Sequence, residues 1–108
     1  MVIFGDFTSK HLFRLHQLVE PVQVLFRVAS ISKDGLLLLD KAARLYRRHS
    51  FILVMRRSYM YKEGISDLIN KTRRLKNVYL GVIEDEQDHR DIQRRRNELF
   101  SRLTKEAT

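Results

Sequence analysis

The sequence predicts a single α/β domain spanning residues 1–108: a small, mostly parallel sheet of about four strands with helices on both faces. Three observations lead there. Four short runs rich in β-branched and aromatic residues recur along the chain: Val2 to Phe4, Val22 to Val28, Phe51 to Met55, and Val78 to Ile83. A stretch with helical spacing follows each run, and such alternation builds a parallel sheet covered by helices. The runs start 20 to 29 residues apart, the length of a strand–helix unit. Apolar runs this short also suit helices, so the rival architecture is an all-α helical bundle in which Pro21 kinks a long first helix.

The first strand is expected to end near Gly5-Asp6. A helix follows over about Thr8 to Val19, with Leu12, Leu15 and Val19 on one face and Thr8 or Asp6 as its cap. Pro21 stops that helix and begins a β-branched strand reaching to Ile31. Ser32 then caps a helix to about Arg48, on which Leu36, Leu39, Ala43 and Tyr46 share a face. A hairpin turn at Lys33-Asp34-Gly35 is the competing reading. Phe51 to Met55 is apolar throughout, as a strand buried on both faces must be. The next helix is expected over Tyr61 to Leu75, with a stripe of Ile65, Leu68, Ile69, Thr72 and Leu75. After the strand Val78 to Ile83, the last helix is expected from near Glu86, carrying Ile92, Leu99, Phe100 and Leu103 on one side. Acids at Asp85 and Asp88 suit the positive end of its dipole.

Composition narrows the function classes. With no cysteine, disulfides, thiolate metal sites and cysteine nucleophiles are excluded, and a reducing, cytoplasmic setting is expected. No apolar run approaches a membrane span, and the N-terminus has no signal-peptide pattern. Neither phosphate-loop glycine pattern is present, nor a serine elbow, nor a zinc-binding histidine pair. His11, His16, His49 and His89 are expected at the surface or its boundary, and no cofactor is expected. A formal charge of +8, from 21 Lys and Arg against 13 Asp and Glu, implies attraction to a polyanion.

A parallel sheet sorts that charge onto two rims. At the carboxyl ends of the strands, where Ser30 also falls, Arg56 and Arg57 with the hydroxyls of Thr8, Ser9 and Ser32 are candidates for a phosphate crevice. Asp6, Glu84, Asp85 and Asp88 fall on the same rim, and carboxylates gathered there can hold Mg²⁺ for phosphoryl chemistry. An acid after the first strand and acids after a later one resemble the topoisomerase-primase fold. Two departures stand against assignment to that family: Asp6 replaces its glutamate, and Glu84-Asp85-Glu86-Gln87-Asp88 lacks a clean Asp-x-Asp. At the amino ends, Arg47, Arg48, Arg73, Arg74 and Lys76 follow two helices, with the choice open between dipole partners and a phosphate-tracking patch. Arg94 and Arg95 add to a basic last helix, and Arg96 is placed to run along its apolar stripe. Tyr59, Met60 and Tyr61 beside Arg56-Arg57 either stack on bases, or pack under a loop or start a helix.

The leading expectation is therefore a small accessory protein that binds DNA or RNA through phosphate contacts at Arg47, Arg48, Arg56, Arg57, Arg73, Arg74, Lys76, Arg94 and Arg95, without catalysis or a membrane partner. The alternatives are an adaptor, able to self-associate, that docks on an acidic protein surface, and a Mg²⁺-dependent phosphoryl-transfer enzyme or nuclease using Asp6, Glu84 and Asp85.

Overall fold

A computed structural model describes residues 1–27 and 31–107, the last two of these by backbone alone. Residues 28–30, the tail of the expected second strand, together with Ser30 of the carboxyl rim, lie outside the described residues. In order, the chain forms β1 (Val2–Ile3), α1 (Ser9–Gln17), β2 (Gln23–Phe26), α2 (Lys33–Leu45), β3 (Ser50–Arg56), α3 (Arg57–Met60), α4 (Ser66–Thr72), β4 (Val78–Ile83) and α5 (His89–Ala107).

The four strands make one parallel sheet in the order β1-β2-β3-β4. Each strand pairs with its predecessor, so crossovers of one hand put every connecting helix on the same face. The core follows that rule. Phe51, Leu53 and Met55 of β3 pack with Leu15 of α1, Leu36 and Leu39 of α2 and Ile69 of α4. The alternate residues Ile52 and Val54, with Ile83 of β4, meet Ile92, Leu99 and Leu103 of α5 on the opposite face. A strand buried on both faces is thus the reason Phe51 to Met55 reads as unbroken apolar sequence.

Two features of this topology bear on function. The strand order never reverses, so the sheet has no topological switch point, the place where open α/β sheets usually form a ligand crevice. Among the described residues, the second face also has a single helix to cover it. Four strands about 4.8 Å apart span more than one helix roughly 10 Å across can shield. α5 packs on β3 and β4. On the β1–β2 half of that face, Val2 remains 39% and Phe4 77% exposed.

Local chemistry decides the helices. Ser32 caps α2: its hydroxyl accepts the Gly35 amide at 3.0 Å, and the hairpin alternative does not form. α5 begins at His89 rather than Glu86, because Asp88 and Asp91 cap one another. The Asp88 carboxylate accepts the amides of Arg90 (2.9 Å) and Asp91 (3.2 Å), and Asp91 accepts the Asp88 amide at 3.2 Å. The helix expected over Tyr61 to Leu75 is shortened to α4, and the single turn α3 forms just before the expected span. Between them Gly64 has φ +80°, a conformation a helix cannot hold. The expected stripe survives the break, since Ile65, Ile69 and Thr72 are all buried. Tyr59 and Met60 pack partly buried against the core. No helix among the described residues is long and apolar enough to cross a membrane.

Candidate functional site

The carboxyl rim is closed by its own hydrogen bonds. Asp6 accepts the amides of Phe7 (2.9 Å) and Ser32 (3.1 Å) and the Ser32 hydroxyl, which ties the end of β1 to the start of α2. Its Oδ1 would lie 2.2 Å from a Cβ on Gly35, so only glycine admits the carboxylate there. At the other end of the rim, Arg56 donates to the carbonyls of Asp85 (2.8 Å) and Gln87 (2.6 Å), and Arg57 pairs with Glu84 at 2.9 Å. Asp85 accepts the Ser58 amide at 3.2 Å; the Ser58 hydrogen bonds, aided by Arg56 and Arg57, hold its carboxyl below the usual range.

Both expected carboxyl-rim sites are therefore divided. Asp6 and the Glu84–Asp85 pair serve separate networks, and no group of three or more His, Asp or Glu side chains among the described residues is arranged to hold a metal. Thr8, Ser9 and Ser32 line a cavity of about 510 Å³ with Asp6, Asp34 and Lys41, where two carboxylates outnumber one ammonium and disfavour an anion. Arg56 and Arg57 are bonded elsewhere. Arg94 and Arg95 are likewise paired, with Asp91 and Glu98, each at 3.0 Å.

The amino rim differs. α2 and α4 lie side by side, joined where the Thr72 hydroxyl donates to Asp40 at 3.3 Å; Asp40 also holds Arg44 at 2.9 Å. Their C-terminal ends reach the same edge. Arg47 and Arg48 lie in the turn after α2, and Arg73, Arg74 and Lys76 in the turn after α4. All five are exposed, and no described carboxylate lies within ion-pair distance of any of them. Arg44, Arg47, Arg74 and Lys76 line one cavity of about 430 Å³. Arg44 and Arg47 also border its neighbour of about 450 Å³, which adds Arg48 and the apolar Leu18, Val19 and Leu45.

Two residues hold this rim together, Asn77, which sequence reasoning passed over, and His49, which it gave no role. The Asn77 side-chain amide donates to the carbonyls of Ala43 (3.0 Å), Tyr46 (3.3 Å) and His49 (3.0 Å). It caps the end of α2 and fixes Arg47 and Arg48 beside Lys76. His49 is buried at 4% exposure, contrary to its expected surface position. Its Nδ1 accepts the Val22 amide at 3.2 Å. Burial lowers its pKa, with Arg48 adding to the shift and a hydrogen bond to the Leu15 backbone opposing it. Asparagine after a basic turn and histidine before a strand are the only sequence traces of these roles.

Compared with protein-family models, with curated proteins and with solved structures, the chain matches none.

Proposed function

We propose that this protein binds nucleic acid through phosphate contacts at the amino rim, using Arg47, Arg48, Arg73, Arg74 and Lys76. One observation carries the reading: these five exposed cations share an edge and have no carboxylate partner among the described residues, while Arg57, Arg94 and Arg95 do. The helix C-termini beneath them supply a favourable field but leave the guanidinium forks free for phosphate oxygens. Contacts of this kind position a backbone and carry no base readout.

The test is a salt titration of binding to labelled single- and double-stranded DNA and RNA, followed by fluorescence anisotropy. Five phosphate contacts predict a log–log salt slope of about −4.5 on duplex DNA and about −3.5 on single strands. The double variant Arg73→Ala, Arg74→Ala should reduce the duplex slope by about 2. The double variant Arg94→Ala, Arg95→Ala, which removes charges already paired, should leave the slope unchanged. Absence of binding at low salt would overturn the proposal.

A second reading is favoured by the exposed Leu18, Val19 and Leu45 bordering the same arginines: an acidic protein surface with apolar residues at its centre. It predicts negligible nucleic-acid affinity and a defined complex with a protein partner.

A further inference from the structure

The second basic feature lies at the opposite end of the sheet, on the half-covered face, and is independent of the amino rim. Three residues of α5, His89, Gln93 and Arg96, are spaced four and three apart and so share one helix face. With Phe4 and Arg27 they line a cavity of about 310 Å³ beside the exposed end of β1. Arg96 is buried at 4% exposure. Its Nε donates to the Phe26 carbonyl at 2.9 Å, just past the last β2–β3 rung at Leu25 and Ile52. Its terminal nitrogens make no hydrogen bond among the described residues. The Nε of Arg27 is buried with no hydrogen-bond partner. Neither arginine has a carboxylate in ion-pair range among the described residues. Burial, with the charge of Arg27 nearby, lowers the pKa of Arg96.

Two neighbouring, partly desolvated guanidinium groups without a counter-ion are an unfavourable arrangement unless an anion completes it. We propose that Arg27 and Arg96 bind the phosphate of a nucleoside monophosphate or of a 5′-phosphorylated strand end. Arginine forks match phosphate oxygens. Phe4, 77% exposed at the cavity wall, offers a ring face to the base. The volume sits at the small end of the range for small-molecule sites, roughly 300 to 1,000 Å³.

The experiment is isothermal titration of the full chain with inorganic phosphate, with AMP and with adenosine. A parallel competition uses a short strand bearing either a 5′-phosphate or a 5′-hydroxyl. AMP should bind more tightly than phosphate, and adenosine should not bind measurably. Arg27→Gln should weaken AMP by about ten-fold or more, the loss of one charged hydrogen-bonded contact. Its urea midpoint, measured without ligand, should equal or exceed the wild type, since Arg27 makes no side-chain hydrogen bond among the described residues and its charge opposes that of Arg96. His89→Ala, at the exposed first position of α5, provides a second variant with a smaller loss. Preference for the 5′-phosphorylated strand, abolished by Arg27→Gln, would identify the strand end as the source of the phosphate. No heat from either AMP or phosphate at millimolar concentration, or equal AMP affinity in Arg27→Gln and wild type, would overturn the proposal. Either failure would leave the amino-rim reading untouched, because none of that rim's residues lines this cavity.

Discussion

Replacing Asn77 by alanine tests whether the amino rim is a built structure. The side-chain amide has two N–H donors, and three backbone carbonyls, of Ala43, Tyr46 and His49, lie within 3.0 to 3.3 Å of its nitrogen. Alanine removes both donors and leaves at least two partly buried carbonyls to find water. At about 0.5 to 1.5 kcal/mol for each net hydrogen bond, with a further cost for any acceptor left dry, the expected loss is about 2 kcal/mol. For a domain of this size that corresponds to a fall in Tm of roughly 10 °C. Urea unfolding followed by far-ultraviolet circular dichroism gives the stability, and differential scanning calorimetry gives the Tm. Asn77→Asp should cost more than alanine, because a carboxylate would then face three carbonyl oxygens. The damage should also reach function: with the end of α2 released, Arg47 and Arg48 are no longer held beside Lys76, and the salt slope of binding should shrink even where the variant remains folded. An Asn77→Ala protein with the wild-type urea midpoint would refute the reasoning, since the clamp would then contribute nothing.

Two further outcomes follow from the same bonds. His11 and His49 both have lowered pKa values in the folded chain, chiefly from burial, so the unfolded chain binds protons more tightly than the folded one. Stability therefore rises with pH and is lost as pH falls below the ordinary histidine value of about 6.5; a urea midpoint at pH 5 equal to that at pH 7.5 would count against it. Gly35→Ala should destabilise the fold by about 1 to 2 kcal/mol although alanine is the better helix former, because its Cβ meets Asp6 Oδ1 and displaces the carboxylate from Ser32. A more stable Gly35→Ala protein would show that the Asp6–Ser32 link is expendable.

Most of the fold could be read from the sequence, because its signals were local. β3 and β4 stand out as unbroken β-rich runs, and the Ser32 cap with a helical stripe behind it distinguishes α2 from a hairpin. The expected helix over Tyr61 to Leu75 failed for an equally local reason, a glycine in a left-handed conformation that the apolar periodicity on either side of it concealed. The site was harder to read. All nine nominated cations are basic residues near an element end or on the last helix; for Arg94 and Arg95 the acids three residues away, Asp91 and Glu98, mark the pairing, but for the other seven nothing in the spacing separates bonded from free. Arg57 meets Glu84 across 27 residues of chain, and Arg56 bonds to carbonyls 29 and 31 residues away. Only the register of β3 against β4 brings those partners together. Asn77 is invisible for the same reason, since its three acceptors lie 28 to 34 residues upstream.

The strand order explains why the cations of the amino rim stay free while Arg56 and Arg57 of the carboxyl rim do not. In a doubly wound sheet the carboxyl rim opens a crevice at the reversal point, and functional groups collect there. Here successive neighbours pair throughout, so loops at the carboxyl ends sit close enough to bond one another. Asp6 reaches Ser32, Arg57 reaches Glu84, and Ser58 reaches Asp85. Each of these bonds occupies a group otherwise open to a ligand. At the amino ends the connections are helix C-termini, whose orphan carbonyls are satisfied by Asn77 and by the backbone of the turns rather than by the cations. The helix field then favours positive charge without consuming its donors. A basic rim assembled this way keeps its arginines and lysine hydrated and hydrogen-bond competent in the free protein. That is the condition under which phosphate contacts give a steep salt dependence, because a cation already neutralised by a carboxylate has little counter-charge to exchange.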